Sequence, residues 1–372
     1  MTLRIATFNA ENLFTRPAVM RYADWEKGKA VLQDYAALTN LVNEDTYDAA
    51  IKAKLVTLVD KYLYKKAPKG GRPIKLNEIR NKLVSRKAGK TTIVPSGRGE
   101  WVGFFELVRS DVSGDEVVNT GRVINAVRPD ILCLVEVEDR PTLVRFNDQV
   151  MQYEFQYPFR ANLLIDGNDP RGIDIGCFSQ FPIRLVRSHI DDAMPSTATP
   201  QPVFSRDCPE FEIDLPGGKT LILLGNHLKS QGYGSKASND AKRHAQAVAV
   251  AQIYQAALLR SPYVAVAGDM NAGPNDASLA PLVQNTNLRE VMTHPSYQND
   301  PEPLPGTFDS GTTDKKKFDY VLLSPALWNL VQNVRVERRG TWRGPNKPHF
   351  PEVKDKTTQA SDHSCVWVDL NL

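Results

Sequence analysis

Acidic, amide and histidine side chains recur where apolar, β-branched runs end, and this recurrence constrains the fold more than any other feature of the chain. Runs bounded by turn residues fall near 3–8, 131–137, 172–178, 183–187, 211–215, 220–226, 263–268, 318–323, 333–338 and 364–370, and their composition predicts strands. Asn9 and Glu11 follow the first run, Glu136 closes the second, and Asn226-His227 follow Leu221-Ile222-Leu223-Leu224. Asp269 and Asn271 follow Val264-Ala265-Val266-Ala267-Gly268, Asp319 lies in the run at 318–323, and Ser361-Asp362-His363 lead into the last. Helices are predicted at 119–128, which stops before Pro129, and at 236–259. In the latter, Ala245, Val248, Ala249, Ile253, Ala256 and Leu259 recur at helical spacing and would cover a sheet face. Strands and helices mixed in this way make an α/β domain, in which ligands gather at strand ends held by a rigid sheet.

The 372 residues suffice for two ordinary domains or one elaborated one. A hydrophobic content of 41%, a charged content of 24% and a mean hydropathy of -0.37 exclude a disordered chain and a polytopic membrane protein. No run approaches ~18 apolar residues, so no transmembrane helix is encoded. Met1 leads directly into a strand pattern, with no basic and apolar leader, which makes the cytoplasm the expected location; secretion stays open for a chain whose leader has been removed. Cys133, Cys177, Cys208 and Cys365 stand singly and are expected to be reduced, buried thiols.

About a hundred residues between the first strand and the helix at 119–128 break the pattern. The expectation is an insertion at 15–118 within a single domain spanning 1–372, mostly helical, with Leu32, Leu41, Ile51, Leu55, Leu58, Val59 and Leu63 on its buried faces. Residues 61–98 hold twelve basic side chains and one acid, Glu78. Such a local excess is an electrostatic footprint for a polyanion. Smaller basic clusters at 315–317 and at Arg335, Arg338, Arg339 and Arg343 are expected to extend it. Segments 191–209 and 295–314 read as long surface loops.

Taken singly, Asn9, Asp269 and Asn271 are turn formers, Glu136 is a solvated carboxylate, and Trp342 is a core residue. Arg243 and His244 mark the polar face of their helix. Taken together, the strand-end residues supply hard oxygen ligands without cysteine, which suit Mg²⁺ or Mn²⁺ rather than Zn²⁺. Histidine beside an acid adds a proton donor or acceptor. The combination points to metal-assisted hydrolysis of a phosphate ester.

Ala6-Thr7-Phe8-Asn9, Leu134-Val135-Glu136-Val137, Gly225-Asn226-His227-Leu228, Gly268-Asp269-Met270-Asn271, Phe318-Asp319-Tyr320-Val321 and Ser361-Asp362-His363 resemble, in order, the motifs of the endonuclease/exonuclease/phosphatase superfamily. The resemblance covers about 1–14 and 119–372. Asn9-Ala10-Glu11-Asn12-Leu13-Phe14 and Arg171-Gly172-Ile173-Asp174 resemble its bacterial nuclease-like branch, although Glu11 stands where an aspartate is frequent. The resemblance implies a four-layer α/β sandwich of two mixed β-sheets face to face with outer helices, carrying the helical insertion. It also implies roles. Glu136, Asp362 and Asn9 would sit at the metal, with Asn9 as ligand or positioner. Asp269 would orient or deprotonate water, Asn271 would hold a phosphate oxygen, and His363, oriented by Asp319, would act in acid–base chemistry. His227 would donate to the scissile phosphate, while Arg171, Asp174, Asn226 and Lys229 would line the substrate.

The function expected from these features is a Mg²⁺-dependent phosphodiesterase, foremost a nuclease that contacts DNA through the basic residues 61–98. The rivals are a phosphatase or phosphodiesterase on lipid or inositol phosphates, and a non-catalytic DNA-binding module on the same fold.

Overall fold

The computed structural model describes residues 1–13, 25–65, 72–108, 114–169, 171–194, 201–232, 234–298, 304, 306–308 and 316–372. The chain forms two compact units, one of residues 1–13 with 112–372 and one of residues 14–111. Phe14 of the opening motif, Lys66 and Lys69 of the basic stretch, and Lys315 lie outside the described residues.

The larger unit opens with β1 (Thr2–Leu13). The smaller unit follows, with α1 (Trp25–Val42), α2 (Ala49–Val59), β2 (Ile74–Arg80), β3 (Val84–Lys87), β4 (Lys90–Ile93) and β5 (Val102–Leu107). The chain then returns through α3 (Gly114–Val127), β6 (Ile131–Val137), α4 (Arg140–Phe146), β7 (Ala161–Leu164), β8 (Asp174–Ser179) and β9 (Ile183–Arg187). It ends with β10 (Glu210–Leu215), β11 (Lys219–His227), α5 (Lys236–Leu258), β12 (Tyr263–Asp269), β13 (Arg289–Glu290), β14 (Asp319–Leu323), β15 (Val331–Glu337) and β16 (Cys365–Asn371).

Two six-stranded sheets make the larger unit, in the orders β15-β16-β1-β6-β8-β7 and β13-β14-β12-β11-β10-β9. Each is mixed: β1 runs parallel to β6 and β11 to β12, and the other pairs are antiparallel. Alternation explains the layering. Leu3 and Ile5 share one core with Ile131, Cys133, Leu221, Leu223, Ala265 and Val321, which places the two sheets face to face. The intervening residues face outward: Ala6, Phe8, Leu132 and Leu134 pack on Val123, Ile124 and Val127 of α3, and Ile222, Leu224, Val264 and Val266 pack on Val250, Ile253 and Tyr254 of α5. Central strands buried on both faces are apolar without alternation, hence Ile131-Leu132-Cys133-Leu134-Val135. The result is the expected four-layer sandwich. All four cysteines are free and buried.

The smaller unit corrects the helical expectation. Helices occupy its first half, and α2 continues through a π-helical turn at 60–64. Its basic second half is β-structure, with β2 paired to β5 and β3 to β4. The cause is local: Ile74 and Leu76 flank exposed Lys75, and Ile93 follows exposed Thr92, the period of a half-buried strand. Ile74, Leu76, Val84, Ile93 and Phe105 close a core of their own with Leu38, Leu55, Val59 and Trp101. The boundary also lies earlier than 118, because α3 belongs to the larger unit.

Candidate active site

Three strands of the second sheet set functional side chains in one row. His227 on β11 pairs with Asp269 on β12, and Asp269 pairs with Asp319 on β14, so the three share a face. All are buried. The first sheet supplies the opposing groups: Asn9 from β1, Glu136 from β6, and His363 from the turn before β16. Asn9 Nδ2 lies 3.2 Å from Asp269 Oδ2, 3.4 Å from Glu136 Oε1 and 3.5 Å from His363 Nε2. His227 Nε2 is 3.7 Å from Asp269 and 3.8 Å from Glu136. Asn271 donates its backbone N–H to Asp269 Oδ1 at 2.8 Å and its amide N–H to Oδ2 at 3.2 Å. Residues separated by up to 354 positions thus meet at one end of the sandwich.

The backbone is bent to present them. Glu11, Glu136 and Asn271 hold φ of 46°, 65° and 52°, a region that non-glycine residues rarely adopt and that concentrates at functional sites. Between Asn9 and Leu13 the β1–β6 register slips, which turns Glu136 out of the ladder. Gly268 has φ 138°, and a Cβ there would stand 1.9 Å from the carbonyl oxygen of Asn226, so only glycine fits before Asp269.

Glu11 ties the two ends of the chain. Its carboxylate accepts the Asp362 backbone N–H at 2.7 Å and the Gln359 amide at 3.1 Å, fixing the turn that carries Asp362 and His363.

The surroundings shift the two histidines in opposite directions. Burial would strip the His363 ring of its proton, but Asp319, Asp269 and Asp362 outweigh it and hold the ring well above the ordinary histidine range. His363 Nδ1 meets Asp319 Oδ2 at 2.9 Å, and Thr307 Oγ1 donates to that same oxygen at 2.7 Å. Burial and the nearby cations Arg206, His363 and Arg171 push His227 well below its ordinary value. Burial also raises Asp269 to about 7, with Asp319 and Glu136 adding to the shift against His363 and the Asn271 N–H. Asp362 is raised to about 7, first by burial and then by Glu11, Glu136 and Asp269. Environments that push titratable groups apart in this way sort acids from bases.

Asp169 organises the cations beside His227. It receives Arg171 through two hydrogen bonds, of 3.0 and 2.8 Å, and its Oδ2 lies 3.1 Å from Arg206 Nε. Burial would raise Asp169, yet Arg171 and Arg206 keep it below the ordinary carboxylate range. Lys229 is lowered by burial and by Arg206, Arg171 and Arg243, while its ammonium donates to Gly232 O at 3.0 Å.

Some expected positions differ. Asn226 is buried on the helix-facing side of β11 with Ile222 and Leu224, and its amide donates to Leu224 O at 3.2 Å, so alternation turns it away from the pocket. Asp174 is buried and accepts the Gly167 N–H at 3.0 Å, in the loop that carries Asp169. Asn9 Oδ1 accepts the Glu11 N–H at 3.0 Å, and its amide nitrogen faces the carboxylates of Asp269 and Glu136. Arg243 is buried and bonds Ser278 and the Lys229 carbonyl. Lys317 is buried against Glu290 at 3.1 Å, and Arg338 is buried donating to Gly306 O and Leu304 O, so these two members of the basic clusters do not face solvent, whereas Lys316 and Arg339 are exposed. Trp342 is half-buried, edge-on to His349. Arg206, Asp169 and Thr307 escaped the sequence reading because they sit in irregular loops with no strand-end pattern to mark them.

Among the described residues, no three acidic, histidine or cysteine side chains already close on one metal-sized point. The donor chemistry nonetheless suits a divalent cation. Glu136 and Asp362 offer hard oxygens, and the repulsion from neighbouring carboxylates that, after burial, raises Asp362 is what a cation would relieve.

The chemistry that such a pocket suits is water attack on an anionic ester. Residues 112–363 match the Endonuclease/Exonuclease/phosphatase family, and the chain belongs to that family, whose members are phosphoric ester hydrolases and in general depend on a divalent metal. A crystal structure of an endonuclease/exonuclease/phosphatase family protein from Bacteroides thetaiotaomicron is similar over 100% of this chain and 95% of its own, at 13% identity and a TM-score of 0.55, which shows the shared fold. A family protein from Bacteroides vulgatus is similar over 69% of this chain and 90% of its own, at 13% identity and a TM-score of 0.49. The human Nocturnin catalytic domain with bound sulfate is similar over 70% and 87%, at 18% identity and a TM-score of 0.48. No curated protein matches the chain. Among the described residues no helix is long and apolar enough to cross a membrane.

Proposed function

We propose that this chain is a divalent-metal-dependent phosphodiesterase that hydrolyses nucleic-acid backbones, foremost DNA. The observation that carries the reading is the His227–Asp269–Asp319 row facing Asn9, Glu136 and His363, with the two histidines shifted in opposite directions by their surroundings. Glu136 and Asp362 would hold Mg²⁺ or Mn²⁺, which when bound offsets charge developing on the phosphoryl oxygens. Asp269, with its acidity near neutral and both oxygens fixed by Asn9 and Asn271, orients the attacking water and takes its proton. His363, held by Asp319, stabilises the charge that builds on the phosphate and His227 donates a hydrogen bond to it, while the P–O bond opposite the attacking water breaks and the leaving oxygen takes its proton from solvent. Arg171 and Arg206 lie on the His227 side for a neighbouring anionic group.

Preference for nucleic acid rests on charge. Residues 14–111 hold nineteen basic against eleven acidic side chains, net +8, while the rest of the chain is net −5. The arginine pair at Asp169 also suits a second phosphate on a small ester, which supports a lipid or inositol phosphate as the next reading. Purified protein incubated with supercoiled plasmid, with Mg²⁺ or with EDTA, tests both. Metal-dependent nicking that Asp269→Ala lowers by about 10²–10⁴-fold supports the proposal. Intact plasmid, linear DNA and RNA, with hydrolysis of a phosphoinositide, overturn it in favour of the small ester. Binding of DNA without any hydrolysis favours a non-catalytic module.

A further inference from the structure

We propose that the β3–β4 hairpin of the smaller unit is a nucleic-acid-binding finger, a preformed ribbon whose tip grips the sugar-phosphate backbone without reading sequence. This rests on the nucleic-acid reading above and assigns it to one element.

The root of the hairpin is fixed. Val84 and Ile93 pair across the strands and enter the core of the unit, and Thr91 Oγ1 donates to Asp60 Oδ1 at 2.5 Å. Arg86 lies over the Tyr64 ring, 4.4 Å from its centre. The turn is two residues long, with Ala88 at φ 48° and Gly89 at φ 79°, the positive values that a tight hairpin turn of this hand requires.

The outer face then presents Ser85 opposite Thr92 and Lys87 opposite Lys90. Like charges directly across a strand pair are unfavourable. Here nothing offsets them: Lys82, Lys87 and Lys90 are exposed, and no ion pair forms to any of them among the described residues. Glu78, the one acid of the surrounding basic stretch, is spent on the backbone, its Oε1 accepting the N–H groups of Leu83 at 2.8 Å and Val84 at 3.2 Å. Two lysines and two hydroxyls on a rigid ribbon are phosphate-binding groups, and the unit behind them is net +8. An anionic bilayer is the weaker fit, because the tip Arg86-Lys87-Ala88-Gly89-Lys90 offers no large apolar side chain to enter it.

The test is fluorescence anisotropy of a short labelled DNA duplex with the full chain, in EDTA so that nothing is cleaved, across a salt series. Lys87→Ser with Lys90→Ser is compared with a charge-matched control on α2, Lys52→Ser with Lys54→Ser, and with the charge-preserving Lys87→Arg with Lys90→Arg. The expected result is about tenfold weaker binding at physiological salt for the serine hairpin variant and a salt slope lower by about 1.8, at ~0.9 for each phosphate no longer neutralised. The control keeps the wild-type slope and the arginine variant keeps binding. Equal loss in the α2 control overturns the finger in favour of diffuse net charge. An unaffected hairpin variant, with wild-type protein that binds and nicks DNA, overturns the finger while the nuclease reading stands. Wild-type protein that hydrolyses a small phosphodiester yet binds no DNA overturns both. Hairpin-dependent binding to phosphatidylserine vesicles and not to DNA replaces the nucleic acid with a membrane.

Discussion

At the scale of single residues, Glu11 shows how a departure from a familiar motif acquires a job. Its side chain closes on the backbone of Asp362 and on Gln359, so that the start of the chain holds the turn near its end. Burial raises Glu11, and Asp362 and Gln359 donate against that shift, which is the signature of a carboxylate kept for its hydrogen bonds. Glu11→Ala should free the turn and misplace Asp362 and His363 together. A fall in kcat of about 10–100-fold is expected, by analogy with outer partners of metal ligands. The Mg²⁺ concentration for half-maximal rate should rise with it, and Glu11→Gln, which still accepts one hydrogen bond, should recover part of both. Metal titrations of the three proteins, beside their melting curves, check this. An unchanged metal requirement with a lower melting temperature would reduce Glu11 to a structural role.

At the scale of elements, the turn after β9 couples an edge strand to solvent pH. His189 Nδ1 meets Asp192 at 2.7 Å and Nε2 meets Glu210 of β10 at 2.8 Å, while its backbone N–H binds Asp207 at 2.7 Å. Arg187 and Arg260 face the same Glu210, and Phe204 packs beside the ring. Burial lowers His189, but Glu210 and Asp192 prevail and raise it above the ordinary 6.5. The folded chain therefore holds this proton more tightly than the unfolded chain. Its stabilisation is full below about pH 6.5 and fades as pH rises through the higher folded value. His189→Gln should lower the melting temperature at pH 6 more than at pH 8.5; equal losses at the two pH values would remove His189 as the titrating group. None of this was legible in the sequence, where no motif marks His189. The strands were, because two-sided burial leaves apolar runs such as 131–137 and 263–268 that need no tertiary information. The short edge strands β7 and β13 were not, being too brief and too polar to stand apart from loops. The strands of the smaller unit were missed for another reason: six lysines and arginines scattered through residues 74–93 interrupt the apolar positions Ile74, Leu76, Val84 and Ile93. At the site, strand-end position revealed Asn9, Glu136, His227, Asp269, Asp319 and His363, since these ride on the sheet. Arg206 and Thr307 depend on how loops fold back, and Asn226 was misassigned because adjacency to His227 in the chain means opposite faces in a strand.

At the scale of the whole molecule, the chain breaks a sandwich after its first strand and resumes it about a hundred residues later. That arrangement requires the inserted segment to satisfy its own apolar surface, since β1 must still find β6 and β16 for the larger unit to close. The inserted unit does so around Trp101, which is 1% exposed and donates its indole N–H to Tyr47 at 2.8 Å; Tyr47 in turn donates to Val42 O at 2.6 Å. Separate cores make separate cooperative units, for which a single unfolding free energy is not defined. Calorimetry should accordingly resolve two transitions. Trp101→Ala, which empties the centre of the smaller core, should lower one of them by the equivalent of about 3–5 kcal/mol and leave the other in place. Hydrolysis of a small phosphodiester should persist in that variant at temperatures where the altered unit has melted, because every residue of the Asp269 row and its opposing groups belongs to the other core. A single transition that shifts as a whole, with small-ester hydrolysis lost alongside it, would mean that the inserted unit is part of what holds the active site in shape.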